Sequence, residues 1–416
     1  MAIDFSLNPE QLALQRDCRE FAQRHLRGVA SAFKHLPTPG ERYLATQPIY
    51  EEVVRAGFLR RMIPRPFGGE GNGLLDMAIV TEEFHSVDAN VSLTLLSSLL
   101  GLMPIFLGGS PGQLERLVQP FLELRGTPVA SLCNSEPGGS ANYGAPAPAV
   151  GVRTTAQIEG GDWVINGEKK WMNAGGWDGK GADLLCVVCR TDPQAPPSSS
   201  ISLIAVEKPT QGFELVELLD TMGNRAHPAP RFRLNNVRAP KGNLIGPEGQ
   251  GKDIIDASFT STAALVGIMG VGLMRAAFEF ALNFARTEKR GGAKPIIEHQ
   301  AVGYALADAK ATLEAARYLG WAACDAMDRQ TPGAPELALH SKIFGSEASV
   351  QVITQLMGVV GIDSYDHELP LASLLQDALV LPLFDGGNMG VRRRQMHELM
   401  MQPDYDPRAA STTVST

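Results

Sequence analysis

The chain has 416 residues, 44% hydrophobic and 20% charged, enough apolar content for a large core divided over two or three domains. A net charge of −8, with 37 Lys and Arg scattered along the chain, argues against the basic stripe that a nucleic-acid surface needs. Five cysteines, an odd number at wide spacing, argue against a disulfide framework and fit a reducing compartment.

The first block, residues 1–126, reads as a helical domain. Its start is polar and acidic before any apolar run, unlike a signal peptide, and a cytoplasmic location is expected. Asn8-Pro9-Glu10-Gln11 is a helix-start signature: Asn8 caps, Pro9 fits the first position and Gln11 reaches back. Apolar residues then recur at Leu12, Leu14, Cys18, Phe21 and Leu26, close to helical spacing. A glycine-rich break, Pro64 to Gly73, precedes a helical run from Leu74 to Val87. Val91 to Leu107 reads as a nearly buried helix.

Residues 127–247 change to a strand period. Val152, Thr154, Ala156 and Ile158 alternate, Glu159 to Asp162 make a turn, and Trp163 to Ile165 resume as the partner strand. Leu184 to Cys189, Ile201 to Val206 and Arg231 to Leu234 are further strands, with Gln194 to Ser200 as a loop. Cys186 and Cys189 have the spacing of a redox or zinc motif, but residues three apart on a strand face opposite sides. They read as buried thiols.

Helical spacing returns over 248–402, and a polar tail, 403–416, is expected to be mobile. Gly267, Gly270 and Gly272 mimic a dinucleotide fingerprint but sit inside an apolar helix, where close helix packing is their use. That apolar run, Ala263 to Met274, is too short to span a bilayer, so no membrane association is expected. The eight histidines show no ligand spacing, so no metal site is expected. Helices, a strand module, then helices make an α+β plan.

Four segments carry candidate chemistry. Ser131 to Asn142 leads a strand into a glycine-rich turn whose backbone N–H groups could hold an anionic or carbonyl-rich ligand; the alternative is an ordinary loop. Gly167 to Trp177 places Trp171 before a turn, where a core tryptophan is the alternative. Arg290 to Gln300, followed by Gln355 to Gly361, offers an arginine whose planar fork suits a diphosphate, although a lone surface arginine is usually only solvated. Pro382 to Gln395 holds Asp385, with Asn388 as a helix cap behind it and Arg392 two turns on, able to return to the same face.

In their order and spacing over nearly the whole chain, these segments resemble the acyl-CoA dehydrogenase superfamily. The resemblance implies helical N- and C-terminal domains around a central β-barrel or sandwich, a homotetramer, and FAD bound between subunits. It assigns FAD contacts to Leu132, Asn134, Ser135, Gly139 and Ser140, and to Trp171 and Asn173. It adds Arg290, Gln300, Gln355, Gly358 and Gly387, with Arg290 and Gln300 partly serving a neighbouring subunit. The chain departs from the family at Ser140-Ala141-Asn142, at Asn173 where a hydroxyl residue is usual, and at Arg290, displaced by about one position. Asp385 stands where the dehydrogenases carry a catalytic Glu. Its segment, with Lys180-Gly181-Ala182-Asp183 and Ala263-Ala264-Leu265-Val266, resembles the nitroalkane oxidase family within that superfamily.

By that likeness Asp385 is the base, Arg392 assists it, and Thr262 supplies a hydroxyl nearby. A small-molecule nitroalkane would become an aldehyde or ketone, with nitrite and, from oxygen, hydrogen peroxide. The alternatives are an acyl-CoA dehydrogenase, a flavin oxidase or monooxygenase acting on an amine or nitro compound, and a non-catalytic FAD scaffold. His299 is expected to be structural.

Overall fold

The computed structural model describes residues 6–146, 148–208, 211–408 and 410. Most of the end of the tail expected to be mobile therefore lies outside the described residues. The N-terminal helices are α1 (Pro9–Phe21), α2 (Val29–Phe33), α3 (Pro39–Arg55), α4 (Phe58–Met62), α5 (Leu74–His85), α6 (Ala89–Gly108) and α7 (Pro111–Leu122). Asn8 starts α1 as the sequence predicts: its side chain accepts from the Gln11 amide at 2.8 Å, and Gln11 accepts from the Asn8 amide at 3.0 Å. Thr38 and Ser110 start α3 and α7 by the same reciprocal bonds, each followed by proline.

The strands are β1 (Ala130–Cys133), β2 (Thr155–Glu159), β3 (Asp162–Lys170), β4 (Leu184–Arg190), β5 (Ile201–Glu207), β6 (Phe213–Leu218), β7 (Pro230–Pro240) and β8 (Leu244–Ile245). They form one sheet in the order β6-β7-β3-β2-β4-β5-β8, with β1 parallel to β4. The β2–β3 hairpin pairs Glu159 with Asp162 across two glycines in the left-handed region, Gly160 and Gly161. Strand β6 had no clear sequence signal: it is a half-buried edge strand on which Glu214 and Glu217 interrupt the apolar residues. All five cysteines are buried free thiols, and burial pushes that of Cys189 up to about 12.

The C-terminal helices are α8 (Gly251–Thr287), α9 (Gln300–Asp328), α10 (Ala334–Val360), α11 (Pro370–Ala378) and α12 (Arg393–Met400).

 Helix α9 thus spans Gln300–Asp328, and with α10 it packs on α8. The glycines of α8 work as close-contact points. A Cβ on Gly267 would lie 2.4 Å from the Ser341 carbonyl oxygen, and one on Gly270 would lie 2.5 Å from that of Gly345. The helices therefore meet backbone to backbone, and side chains larger than hydrogen are excluded there.

By length and composition α6, α8 and α10 are each long and apolar enough to cross a membrane, which corrects the reading that no apolar run is long enough. The sequence reading took Ala263 to Met274, between Thr262 and Arg275, as the longest run, whereas the helices continue through hydroxyl residues such as Thr262 and Thr94. In the helix these return their hydroxyls to their own backbone, as Thr94 does to the Asn90 carbonyl at 3.0 Å. Most of the apolar window of α6 and of α8 is buried inside the protein. A charged cluster crosses the same bundle: Glu82 and Glu83 of α5 meet Arg275 of α8, Arg317 of α9 and Arg19 of α1.

Candidate active site

A cavity of about 560 Å³ lies where the three helical and strand regions meet. One wall is apolar: Leu93, Leu96 and Leu100 of α6, and Leu265, Val266 and Met269 of α8. Another is β1 and the turn after it, with Ser131, Leu132, Asn134 and Ser135. Trp171 to Asn173, the loop from Leu219 to Ala229, and the segment from Gln376 to Asp385 complete it.

Asp385 sits in a turn after α11, its side chain 7% exposed. Arg392, 1% exposed, donates to it twice: Nε to the Asp385 carbonyl and Nη2 to Oδ2, both at 2.9 Å. A further bond from Nη2 to the Phe259 carbonyl, at 3.2 Å, ties this pair to α8. The other carboxylate oxygen, Oδ1, is buried and has no hydrogen-bond partner among the described residues. The seven-residue return of Arg392 to Asp385 is thus as the sequence predicts. It is made by one wide turn, Gly387–Arg392, with the π-helical bonding found inside helices at functional places.

Asn388 is not a cap, contrary to the sequence reading. Gly386 holds that place, and the Asn388 side chain turns inward to Lys342, Ser346 and Glu347 of α10. The buried Lys342 ammonium, the buried Ser346 hydroxyl and the half-buried Glu347 carboxylate outcompete the exposed amides of the turn for it.

Trp171 is not a core tryptophan. It is 54% exposed, at φ 89°, on the cavity wall, with the Lys170 ammonium 4.5 Å from its ring centre. Asn134 and Asn173 are both buried there, each with a side-chain carbonyl lacking a partner; the Asn173 amide donates to the Tyr43 hydroxyl at 3.3 Å. Beneath the glycine-rich turn lies a pair that the sequence reading missed. Glu136 accepts from the Arg153 and Thr154 amides and from Lys169 at 3.0 Å, and Lys169 also donates to the Asn134 carbonyl. Burial opposes ionisation of Glu136, yet Lys169 and these donors hold its carboxyl below the usual range. This strut sets the course of the turn. Gly139, in the left-handed region, and Ser140, bonded to Ser135 at 3.1 Å, continue it beyond the cavity lining.

Thr262 lines the cavity, its hydroxyl donating to the Ser258 carbonyl at 3.2 Å. Gly387 belongs to the Asp385 turn without lining the cavity. Arg290, Gln300, Gln355 and Gly358 do not line it either. Arg290 pairs with Asp363 at 2.7 Å and stacks on Phe284, Gln300 donates to the Tyr304 hydroxyl, and Gln355 donates to the Ala305 carbonyl at 3.1 Å. Gly358 leaves open space on α10. Sequence reasoning also missed the α6 leucines and His227, whose imidazole meets Thr94 at 3.1 Å and is pushed down to about 3 by burial. No local pattern marks either.

Sequence patterns of the acyl-CoA dehydrogenase N-terminal, middle and C-terminal domains match residues 8–124, 131–237 and 249–401. The chain belongs to the acyl-CoA dehydrogenase superfamily. It is 43% identical to the nitroalkane oxidase of Podospora anserina, over 98% of each chain, and 37% identical to that of Fusarium oxysporum, over 98% of this chain and 97% of that one. The mouse mitochondrial short-chain specific acyl-CoA dehydrogenase is 28% identical over 90% of this chain and 86% of that one. Among solved structures, the Podospora anserina enzyme superposes with a TM-score of 0.94 at 42% identity, over 99% of this chain and 100% of that one. A nitroalkane oxidase active-site Asp-to-Asn variant crystallised with 1-nitrooctane gives 0.94 at 37%, over 98% and 99%. Another structure of that flavoprotein concerns the roles of an aspartate and an arginine seven positions apart, the spacing of Asp385 and Arg392.

As a member of this superfamily the chain is a flavin-dependent oxidoreductase whose cofactor is FAD. The cavity suits a flavin: its walls are largely apolar, as a flat ring requires, while the unpartnered carbonyls of Asn134 and Asn173 and the exposed face of Trp171 await a polar-rimmed aromatic partner.

Proposed function

We propose that this flavoenzyme oxidises nitroalkanes, with Asp385 removing the proton from the carbon that bears the nitro group. The observation that carries the reading is the division of labour within one carboxylate. Oδ2 is held by Arg392, while Oδ1 has no partner among the described residues, and Asp385 lines a mostly apolar cavity. The guanidinium fixes the carboxylate in place, and Oδ1, with no donor among the described residues, has a lone pair ready for a carbon-bound proton. The relatives bearing the nitroalkane oxidase name, at 37–43% identity over nearly the full length, support the substrate class. The Leu and Met wall suits the alkyl chain, and Thr262 offers a hydroxyl beside it.

FAD, held by the β1 turn, Trp171 and Asn173, supplies the two-electron acceptor and the route to oxygen. For a primary nitroalkane the balance is one nitroalkane, one oxygen and one water giving one aldehyde, one nitrite with its proton, and one hydrogen peroxide. Arg290, Gln300, Gln355 and Gly358, which line no part of this chain's own cavity, serve the FAD of a neighbouring subunit in a homotetramer.

The test is the purified yellow protein, run as a tetramer by sedimentation, with nitroethane or 1-nitrohexane in air. Nitrite and peroxide should form in equal amounts without an added acceptor. Peroxide without nitrite would point to an amine oxidase, flavin bleaching by an acyl-CoA alone to a dehydrogenase, and a colourless monomer would overturn the assembly.

A further inference from the structure

Behind the base lies a buried cation that the proposed reaction does not yet use. Lys342, on α10, is 0% exposed. Its Nζ donates to two neutral oxygens, the Leu381 carbonyl at 2.7 Å and Asn388 Oδ1 at 2.9 Å, and it makes no ion pair among the described residues. These acceptors bracket Asp385 in the chain, one before it and one after. Asn388 cannot swing away, because its amide is committed to Ser346 Oγ and Glu347 Oε1, both at 3.0 Å.

Between the two anchors the backbone is strained. Asp385, Gly386 and Gly387 have φ of 50°, 86° and 54°, three successive residues in the left-handed region. For the aspartate this conformation is unfavourable, and it persists only where its surroundings fix it. Lys342 fixes both ends of the segment.

Its charge matters as well. Burial pushes the ammonium down to about 8, against the pull of Asp385 and Glu347 and with the push of Arg392. Glu347 is already engaged by both terminal nitrogens of Arg393, at 2.6 and 2.8 Å. The Asp385 carboxylate, itself paired with Arg392, is the larger of the two anionic influences on Lys342.

We propose that Lys342 is a positioning residue for the base, clamping both ends of the turn that carries Asp385 and setting a second buried cation, beside Arg392, behind its carboxylate. This rests on Asp385 being the base.

Lys342→Met keeps the length of the side chain and removes its charge and donors. In the FAD-loaded enzyme, kcat/KM for neutral nitroethane should fall ~10–10²-fold, the scale of a base misplaced by about an ångström. The acidic limb of its pH profile should move to higher pH. Turnover of the preformed nitroethane anion, whose proton is already gone, should change little. Equal losses on both substrates, no loss on either, or an unmoved acidic limb would overturn the proposal. Should Lys342→Met fail to retain flavin, Asn388→Ala, which cuts one of the two bonds, should still move the acidic limb upward, and an unmoved limb overturns the idea. The Asp385→Asn enzyme separates the two readings: if it handles neutral nitroethane at the wild-type rate, Asp385 is not the base and the fault lies there.

Discussion

The protein buries carboxylates against arginines both in the helical bundle and at the cavity, and the two places are built differently. Between α5, α8 and α9, both oxygens of Glu82 and both of Glu83 are taken by Arg19, Arg275 and Arg317, at 2.8–3.2 Å. At the cavity, Arg392 takes one oxygen of Asp385 and the other is left without a donor. A saturated carboxylate has no lone pair to spare and can only hold helices together. An unsaturated one carries the cost of a buried, incompletely satisfied charge, and is in return able to accept a proton. Coordination, more than burial, separates the structural acid from the reactive one.

Exchanging charge for amide at each place should break the two apart. Asp385→Asn should bind flavin normally and lose ~10²–10⁴ in rate with a neutral nitroalkane, while the nitroalkane anion is still oxidised. Anaerobic flavin bleaching measures both. Glu83→Gln should do the reverse, lowering stability by about 3–5 kcal/mol while the rate per bound flavin stays near wild type. Chemical denaturation and flavin-normalised turnover together decide it, and a rate loss matching that of Asp385→Asn would erase the distinction.

Acid should find the structural side through His85, next but one after Glu83 on α5. Its imidazole bonds to Ser92 at 2.5 Å, and burial, then His227, push it down to about 3. The folded protein holds it neutral, so its stability is whole above the ordinary histidine range and drains as pH falls from about 6.5 toward 3. At pH 5 the loss from this one group is about 2 kcal/mol relative to pH 7. Melting at the two pH values should show a smaller acid-induced drop in His85→Gln than in wild type.

What the sequence reveals and conceals follows from distance along the chain. The Asn8 capping box, the hairpin at Glu159 to Asp162 and the return of Arg392 to Asp385 are all encoded within about two helical turns, and all are legible. Leu132, Asn134, Trp171 and Asn173, to which the family resemblance assigns FAD contacts, converge on one cavity. Lys342 is not legible, because a lone lysine in a helix reads as solvated; only the fold brings it to Leu381 and Asn388. The same contact explains why Asn388, capable of capping by its type, is drawn inward. The apolar wall from α6 carries no mark beyond hydrophobicity, which serves core and cavity alike.

That wall also sets a timetable. Helix α6 is complete at Gly108, but α8, which covers part of its apolar surface, begins only at Gly251. A ribosome adding about 5–20 residues each second leaves that part of α6 waiting on the order of ten seconds for α8. During that interval the nascent chain presents a helix apolar enough for a bilayer, with α5, α7 and β1 available to cover it but not α8. Slower synthesis lengthens the wait, so the yield of folded protein should depend on chaperone supply more than on the stability of the finished fold.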